Sequence, residues 1–240
     1  MGNLVIISGA STGLGLALAE STPFPARIID ISRSGPPTES GIEHLQSDLS
    51  ESNDWPRLVT ALRDLLRAEG PSRSVFIHAA GTLTPIGFAG EVDDCQYANN
   101  ILVNSAAGQM LGHAYLSVAS ELAGAHDLIM ISSGAASNTY PGWSSYGAGK
   151  AALDQWVRYV GKEQAIRGGV RVCAIAPGVL DTEMQSQIRA MSEEDFPDVE
   201  RFRELHEEGD LVSPAAAASK LWSVLQNGVQ SGSVIDLRDL

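Results

Sequence analysis

Residues 4–20 read LVIISGASTGLGLALAE, an apolar run that leads into a glycine-rich turn and then into a segment with helical spacing. Gly9, Gly13 and Gly15 stand where the predicted strand meets the predicted helix. Glycine permits a tight turn and close approach of a ligand, and the N-terminus of a helix attracts a pyrophosphate. The spacing is G-x3-G-x-G and differs from G-x-G-x-x-G. A glycine-rich turn without a ligand therefore remains the alternative.

Strand and helix candidates alternate along the rest of the chain. Short apolar runs cover residues 4–7, 27–31, 43–47, 74–78, 127–132, 170–175 and 233–237. Helical spacing of apolar residues covers residues 14–20, 55–68, 93–123, 145–167 and 213–225. This alternation predicts a Rossmann-type α/β fold, with a doubly wound parallel sheet of about seven strands and helices on both faces. We expect a single domain over residues 1–240, with a surface loop at 32–41 and a helix interruption at 192–198.

Composition limits the classes of partner and the location. The 240 residues are 44% apolar and 19% charged, which is ordinary for a globular protein. The net charge of −13 argues against nucleic acid and anionic membranes as partners. No apolar run approaches the roughly 20 residues of a membrane helix, and the N-terminus lacks a basic secretory region, so we expect a cytoplasmic protein. Cys95 and Cys173 lack metal-ligand spacing, and no metal site is predicted.

The second strand candidate ends in IIDISRSG, residues 28–35, where a dinucleotide would place its adenosine ribose. A basic residue there accommodates a ribose 2′-phosphate, whereas an acidic one binds the 2′-hydroxyl. Arg33 follows the strand and suits the phosphate, while Asp30 falls within the strand. This favours NADP(H) over NAD(H). The alternative is that Arg33 is a solvated loop cation.

Residues 142–156, GWSSYGAGKAALDQW, place Tyr146 four residues before Lys150. Residues i and i+4 share a helix face, so the ammonium can lie beside the phenol. A phenol with a pKa of about 10 is a poor proton shuttle, and a neighbouring cation is expected to lower that pKa. Ser133 ends a predicted strand thirteen residues earlier and could hold a substrate carbonyl. A surface Tyr and Lys at helical spacing, and a Ser133 that only caps a turn, are the alternatives.

Taken together, these motifs resemble those of the short-chain dehydrogenase/reductase superfamily over essentially the whole chain. The matching features are SGASTGLG at 8–15, SDL at 47–49, HAAG at 78–81, Asn104, the Ser133, Tyr146 and Lys150 set, and APGVLDT at 176–182. The resemblance implies an enzyme in which Tyr146 is the general acid/base, Lys150 lowers its pKa and binds the nicotinamide ribose, and Ser133 orients the carbonyl. It also implies that Asn104 holds a water linked to Lys150. Asn104 could instead hydrogen-bond a neighbouring loop.

The resemblance further implies a set of cofactor contacts. They are Gly9, Ser11, Thr12, Gly13, Leu14, Gly15, Arg33, Asp48, Leu49, Ala79, Ala80, Gly81, Tyr146, Lys150, Pro177, Gly178 and Thr182. Two positions depart from the family pattern. His78 replaces the first Asn of Asn-Asn-Ala-Gly, and we expect it to be a packed strand residue. Thr12 stands where NADP-dependent members often carry a basic residue.

Within the superfamily, GWSSYGAGKAALD, APGVLDTEMQ and SGSVIDLRDL resemble sepiapterin reductases and benzil reductases that form (S)-benzoin. The expected substrate is a small ketone or vicinal diketone, reduced with NADPH. Asp236 matches a carboxylate that anchors pterin, and Trp143 would border the substrate; a strand-end Asp and a packed aromatic are the alternatives.

Residues 183–210, with ten acidic side chains against three arginines, predict a solvated face or a mobile lid. Relatives also imply a homodimer or homotetramer through the two long helices. A pterin reductase, an alcohol dehydrogenase and a non-catalytic NADP(H) sensor are the rival functions.

Overall fold

The computed structural model describes residues 2–240 and contains a seven-stranded sheet. The strands are β1 (Asn3–Ser8), β2 (Arg27–Ser32), β3 (Glu43–Gln46), β4 (Arg73–His78), β5 (Ala125–Ile131), β6 (Arg171–Ala176) and β7 (Val234–Asp236). Their order is β3-β2-β1-β4-β5-β6-β7, and all neighbouring pairs are parallel. The chain therefore winds outward in both directions from β1 and β4, which confirms the predicted single doubly wound α/β domain. In such sheets ligands bind at the carboxyl ends of the strands, where the winding reverses.

Helices cover both faces of the sheet. They are α1 (Gly13–Glu20), α2 (Trp55–Glu69), α3 (Asp94–Ile101), α4 (Ala107–Ala119), α5 (Ser144–Arg167), α6 (Glu183–Arg189), α7 (Val199–Glu207) and α8 (Pro214–Asn227). The predicted helix at 93–123 is divided by a π-helical segment, Leu102–Ala106, and ends earlier than expected. The interruption predicted at 192–198 lies between α6 and α7. None of the helices in residues 2–240 combines the length and apolar character needed to span a bilayer.

The first strand shows why two helical layers are needed. Leu4 and Ile6 belong to the apolar cluster under α2, α4 and α5, whereas Val5 and Ile7 belong to the cluster under α1 and α8. All four side chains are almost fully buried. Because successive strand residues face opposite sides, a continuous apolar run requires cover on both faces. Each such burial contributes about 1.5–3 kcal/mol.

Candidate active site

A cleft of about 850 Å³ lies at the carboxyl ends of the strands. The segments that follow β1, β2, β4, β5 and β6 all contribute to its lining. Every residue predicted to contact the cofactor lines this cleft, as do Ser133, Tyr146, Lys150 and Trp143. Asn104 and Asp236 are the two predicted site residues that are not part of the lining. The structure thus brings distant motifs together in one cleft, whereas two of the predicted residues do not line it.

The glycine turn after β1 shapes one end of the cleft. A Cβ on Gly9, whose φ is 83°, would lie 2.8 Å from the backbone of Ala80, and one on Gly15 would lie 2.1 Å from the Gly9 carbonyl oxygen. At Gly13 the only atom within 4 Å of a Cβ would be a Thr182 methyl carbon at 3.6 Å. Two glycines are therefore needed for close packing, and the third borders open space.

The first turn of α1 is left available to a ligand. Thr12 is the N-cap residue, but its side chain makes no capping hydrogen bond. The first N–H groups of a helix have no intrahelical partner and carry the positive end of the helix dipole. Together with the open space at Gly13, this arrangement fits the pyrophosphate of a dinucleotide.

The end of β2 separates the two candidate ribose ligands. Asp30 is fully buried, and both of its carboxylate oxygens have partners. Its Oδ1 accepts a hydrogen bond from the Ala10 N–H at 2.8 Å. Its Oδ2 accepts one from the Ser32 hydroxyl at 2.6 Å and lies 2.9 Å from His44 Nδ1. Both carboxylate oxygens are thus engaged within the fold, and Oδ1 holds the glycine turn. Arg33 is exposed and lines the cleft.

Asp48 and Leu49, predicted to border the adenine, both line the cleft. Asp48 Oδ1 accepts hydrogen bonds from the Ser50 N–H at 2.9 Å and from the Ser50 hydroxyl at 2.7 Å. This turn sets the direction of the chain between β3 and α2, and Leu49 is buried behind it. Asp48 therefore has a structural contact in addition to its place on the cleft wall.

The three family residues that carry chemistry meet at the end of β5. Ser133 follows that strand, Tyr146 stands in the first turn of α5, and Lys150 stands one turn later. The Lys150 Nζ lies 5.9 Å from the centroid of the Tyr146 ring and donates a hydrogen bond to the Ile131 carbonyl at 2.9 Å. Ser133 Oγ also accepts a hydrogen bond from the Ala135 N–H at 3.1 Å. The capping role considered for Ser133 is thus real, and it leaves the hydroxyl facing the cleft.

Burial is the largest cause of the pKa shifts of Tyr146 and Lys150. It raises the pKa of Tyr146, and the hydrogen-bonding influence of Ser133 only partly opposes the rise. Burial lowers the pKa of Lys150 to about 8, against the opposing charge of Asp154. In the protein alone, desolvation of the phenol therefore sets the direction of the shift, and the lowering of the Tyr146 pKa by Lys150 stays a prediction. A raised pKa keeps Tyr146 protonated at neutral pH, which is the form that a general acid requires.

Asn104 lies in the π-helical segment and is fully buried. Its side-chain amide donates hydrogen bonds to the Thr82 carbonyl at 2.7 Å and to Asn100 Oδ1 at 2.8 Å, and its Oδ1 accepts one from the Thr82 N–H at 3.1 Å. The contact with a neighbouring loop, considered as the alternative, is therefore present. A Cβ on Gly81 would lie 3.2 Å from Asn104 Oδ1 and 3.6 Å from Lys150 Nζ. Asn104, from behind the cleft wall, and Lys150, on that wall, thus both lie close to Gly81.

His78 is a packed strand residue, as predicted. It is fully buried, and its Nδ1 lies 2.7 Å from the Ser8 hydroxyl on the neighbouring strand β1. Burial lowers its pKa to about 3, helped by the positive charge of Lys150. The Ser8–His78 contact joins strands β1 and β4. The resemblance implies the same strand-joining role for the Asn side chain that His78 replaces. The neutral ring cannot supply a proton at physiological pH.

Acid stability should depend on His78. Its pKa of about 3 in the folded protein lies below the value of about 6.5 in an unfolded chain, so the unfolded state binds more protons between these limits. We expect this group to remove about 2 kcal/mol of unfolding free energy between pH 7 and pH 5. Urea unfolding at both pH values should show a smaller pH dependence for His78→Asn than for wild type. An identical pH dependence of the unfolding free energy in both proteins would refute the lowered pKa of His78.

Aromatic side chains form the wall of the cleft at the end predicted to hold the substrate. Trp143 stacks on Phe196 with 4.6 Å between ring centroids and lies 5.7 Å from Tyr146 and 5.1 Å from Tyr140. Trp143 is largely buried yet lines the cleft. Trp143 is therefore a packed aromatic on the cleft wall, and its contact with the substrate stays a prediction.

Asp236, predicted to anchor the substrate, lies outside the cleft lining. It ends β7, and its carboxylate is bound by the guanidinium of Arg238, which donates from Nε to Oδ1 at 2.9 Å and from Nη2 to Oδ2. This pairing lowers the pKa of Asp236, so the carboxylate stays ionised. Arg238, and not Asp236, lines the cleft. The strand-end alternative thus describes the structure, with Arg238 bound to both oxygens of Asp236, and a role for Asp236 as a substrate ligand stays a prediction.

Several cleft residues were not predicted from the sequence, because no spacing rule singles them out, even where they lie in a stretch quoted for the resemblance. Tyr140 precedes α5, Arg201 and Phe202 come from α7, and Arg238 comes from the C-terminal end. The further members are Leu83, Gln96, Asn99, Met184 and Ile188. Residues 183–210, predicted as a solvated face or a mobile lid, include four of these residues, but their acidic pattern singled out none of them.

The comparisons with known proteins agree with this geometry. A family model described as short chain dehydrogenase matches residues 3–193. The chain belongs to the short-chain dehydrogenase family. The family resemblance noted in the sequence is thereby confirmed, and the protein is an oxidoreductase of a family that uses nicotinamide cofactors.

Individual relatives match this short-chain dehydrogenase over nearly its full length. The benzil reductase ((S)-benzoin forming) of Bacillus subtilis is 34% identical over 243 aligned positions, covering 98% of each chain. The sepiapterin reductase of Bos taurus is 32% identical and covers 98% of this chain and 94% of its own. Among solved structures, the KRED1-Pglu enzyme superposes with a TM-score of 0.81 at 26% identity, covering 97% of this chain and 99% of its own.

Proposed function

We propose that this short-chain dehydrogenase is an NADP(H)-dependent carbonyl reductase that acts on small ketones or vicinal diketones. The observation that carries the proposal is the convergence of Ser133, Tyr146 and Lys150 in the cleft that the glycine turn opens. Its relatedness to benzil and sepiapterin reductases supports a ketone next to a second carbonyl as substrate.

The residues of the cleft suit the reduction of a carbonyl group. NADPH, when bound, supplies the hydride for the carbonyl carbon. Tyr146, held protonated by burial, donates its hydroxyl proton to the carbonyl oxygen. The Ser133 hydroxyl donates a hydrogen bond to the same oxygen and stabilises the charge that develops there. Trp143 forms a wall beside Tyr146 and excludes water from the reacting atoms.

Lys150 and Asn104 complete the proposed arrangement. Lys150 has a pKa of about 8 and is mostly charged at neutral pH, so it stabilises negative charge on Tyr146 after proton donation. It also donates to the nicotinamide ribose in this proposal. Asn104, which faces Gly81 together with Lys150, suits a water that returns the proton from solvent.

We attribute the choice of NADP(H) to Arg33. Asp30 is fully engaged within the fold, which leaves the Arg33 guanidinium and the neighbouring Ser34 at the cleft end. Arg33→Ala should weaken NADPH binding by about 10- to 100-fold, because a charge-assisted hydrogen bond contributes roughly 1.5–3 kcal/mol. NADH binding should change little. Titration of both cofactors by nicotinamide fluorescence measures the difference, and equal losses for both would contradict the role.

The rival functions are separated by one assay of turnover. NADPH oxidation is followed with benzil, an isatin and sepiapterin, and with NADP+ and the corresponding alcohols. Reduction of the diketones supports the proposal, whereas sepiapterin alone would indicate a pterin reductase. Tight NADPH binding without turnover of any compound would indicate a sensor.

We further propose a homodimer or homotetramer formed through α4 and α5, as the sequence led us to expect. Met110 on α4 and Ile166 on α5 expose large apolar side chains, as does Ile101 at the end of α3. Light scattering coupled to gel filtration should give twice or four times the mass of 25.3 kDa. A monomer at micromolar concentration would contradict this proposal.

A further inference from the structure

Arg238 holds a fixed place beside the reacting groups. A Cβ on Gly134, the residue after Ser133, would lie 3.2 Å from Arg238 Nη2, and one on Gly178 would lie 3.5 Å from Arg238 Cγ. The arginine therefore bridges the segments that follow β5 and β6. Asp236 binds its Nε and Nη2, so the guanidinium is oriented before any substrate arrives.

A second arginine reaches the same end of the cleft from α7. Arg201 lines the cleft, and its Nη1 donates a hydrogen bond to the Tyr140 hydroxyl at 3.2 Å. Its guanidinium carbon lies 5.8 Å from the centroid of the Tyr140 ring. Among the ion pairs formed within residues 2–240, none involves Arg201. Within residues 2–240, no carboxylate therefore forms an ion pair with the Arg201 guanidinium.

The aromatic wall connects both arginines with the proposed acid. Tyr140 contacts Arg201 directly and contributes to the electrostatic environment of Arg238. The Tyr140 ring packs against Trp143, which in turn packs against Tyr146. The two cations consequently belong to the compartment in which the substrate carbonyl would lie.

The presence of Arg201 and Arg238 at this end of the cleft contrasts with the negative net charge of the protein. The chain carries a net charge of −13, and α6 and α7 lie in its most acidic segment. The acidic residues of the cleft lining near this segment, Asp181 and Glu183, flank Thr182, which faces Gly13 at the glycine turn. Within the described residues, Arg201 thus brings an unpaired positive charge to this compartment, and Arg238, paired with Asp236 through Nε and Nη2, offers its remaining N–H groups there. They match a planar anion, which a guanidinium binds in bidentate fashion.

We infer that the substrate is a 2-oxo carboxylate with an aromatic or branched apolar group, whose carboxylate is bound by Arg238 and Arg201. This inference rests on the proposed function, since it names the substrate class of the same site. Arg238 lies next to the segment of Ser133, so a carboxylate adjacent to the ketone is within its reach. The apolar group packs against the wall formed by Trp143, Phe202 and Ile188.

The kinetic test compares two substrates of similar size. Benzoylformate carries the carboxylate, and 1-phenylpropane-1,2-dione carries a methyl ketone in its place. We expect kcat/KM to be at least about 10-fold higher for benzoylformate, and expect this ratio to fall by about 10- to 100-fold in Arg201→Met or Arg238→Met. Arg67→Met, which removes an exposed cation from α2 outside the cleft, should keep the wild-type ratio.

A binding test gives a readout that does not need turnover. Calorimetry on the protein saturated with NADP+ compares mandelate with the neutral mandelamide. Mandelate should bind at least about 10-fold more tightly, and Arg238→Met should abolish this preference. Asp236→Asn leaves the Arg238 charge without its partner and should preserve or increase the preference. A preference that is absent in wild type, or unchanged in both arginine variants, overturns the inference.

The two tests separate this inference from the proposed function. Reduction of the neutral dione without any preference for benzoylformate or mandelate would leave the reductase proposal standing and exclude the carboxylate site. A preference for mandelate that depends on the arginines, without reduction of either ketone, would retain the carboxylate site and exclude the reductase proposal.

Discussion

Tyr146→Phe is expected to lower kcat for ketone reduction by about 10²–10⁴-fold, because it removes the proposed proton donor and leaves the ring in place. The Tyr146 hydroxyl is the only group that the substitution deletes, and the aromatic packing against Trp143 is retained. NADPH affinity should change little, since the glycine turn and the Arg33 end of the cleft are untouched. Stopped-flow measurement of NADPH oxidation under single-turnover conditions separates the chemical step from cofactor binding.

The matched control for this substitution lies on the same helix. Tyr159 is 63% exposed on α5 and does not line the cleft, so Tyr159→Phe should retain wild-type turnover. If Tyr146→Phe kept most of its activity while folding normally, the assignment of the acid would be wrong. If both variants lost activity equally, the effect would have to be assigned to the helix and not to the hydroxyl.

Lys150→Met is expected to reduce kcat/KM by about 10²–10³-fold, the range found when a preorganised charge or donor is removed from a reacting centre. The loss has two causes in this account: charge stabilisation of Tyr146 and contact with the nicotinamide ribose. Unlike Tyr146→Phe, this variant should therefore weaken NADPH binding as well as turnover. The side chain is buried and of similar length in both residues, so the packing beneath Gly81 is largely preserved.

The pH profile provides an independent readout of Lys150. Burial lowers its pKa to about 8, so the ammonium is present below that pH and lost above it. Wild-type kcat/KM should therefore decline as the pH rises through about 8, with Asp154 opposing the shift in the pKa. In Lys150→Met this decline should disappear. A profile that falls in the same pH range in both proteins would show that another group titrates there.

The parts of the site that could be predicted from the sequence depend on local spacing. Gly9, Gly13 and Gly15 follow the first strand directly, and Tyr146 and Lys150 are one helical turn apart, so the element type alone determines their relative positions. Ser133 joins them because parallel strands end at the same edge of the sheet. The order of strands and helices was likewise readable from alternating apolar segments, which is why the fold agrees with its prediction.

The parts that could not be predicted depend on contacts between distant segments. Whether Asp236 faces the substrate depends on the conformation of Arg238, two residues later, and no spacing rule determines it. Arg201 reaches the cleft only because α7 folds over Tyr140. The direction of the Tyr146 pKa shift depends on how completely the phenol is buried, and a neighbouring cation in the sequence carries no information about that.

The central claim is that this cleft transfers hydride to a ketone while Tyr146 supplies the proton. The most direct measurement uses NADPH deuterated at both C4 positions, with 1-phenylpropane-1,2-dione as acceptor and mass spectrometry of the product. We expect one deuterium per product molecule, located on the carbinol carbon, and its loss to background in Tyr146→Phe. A wild-type protein that binds NADPH tightly and yields no labelled carbinol would contradict the account.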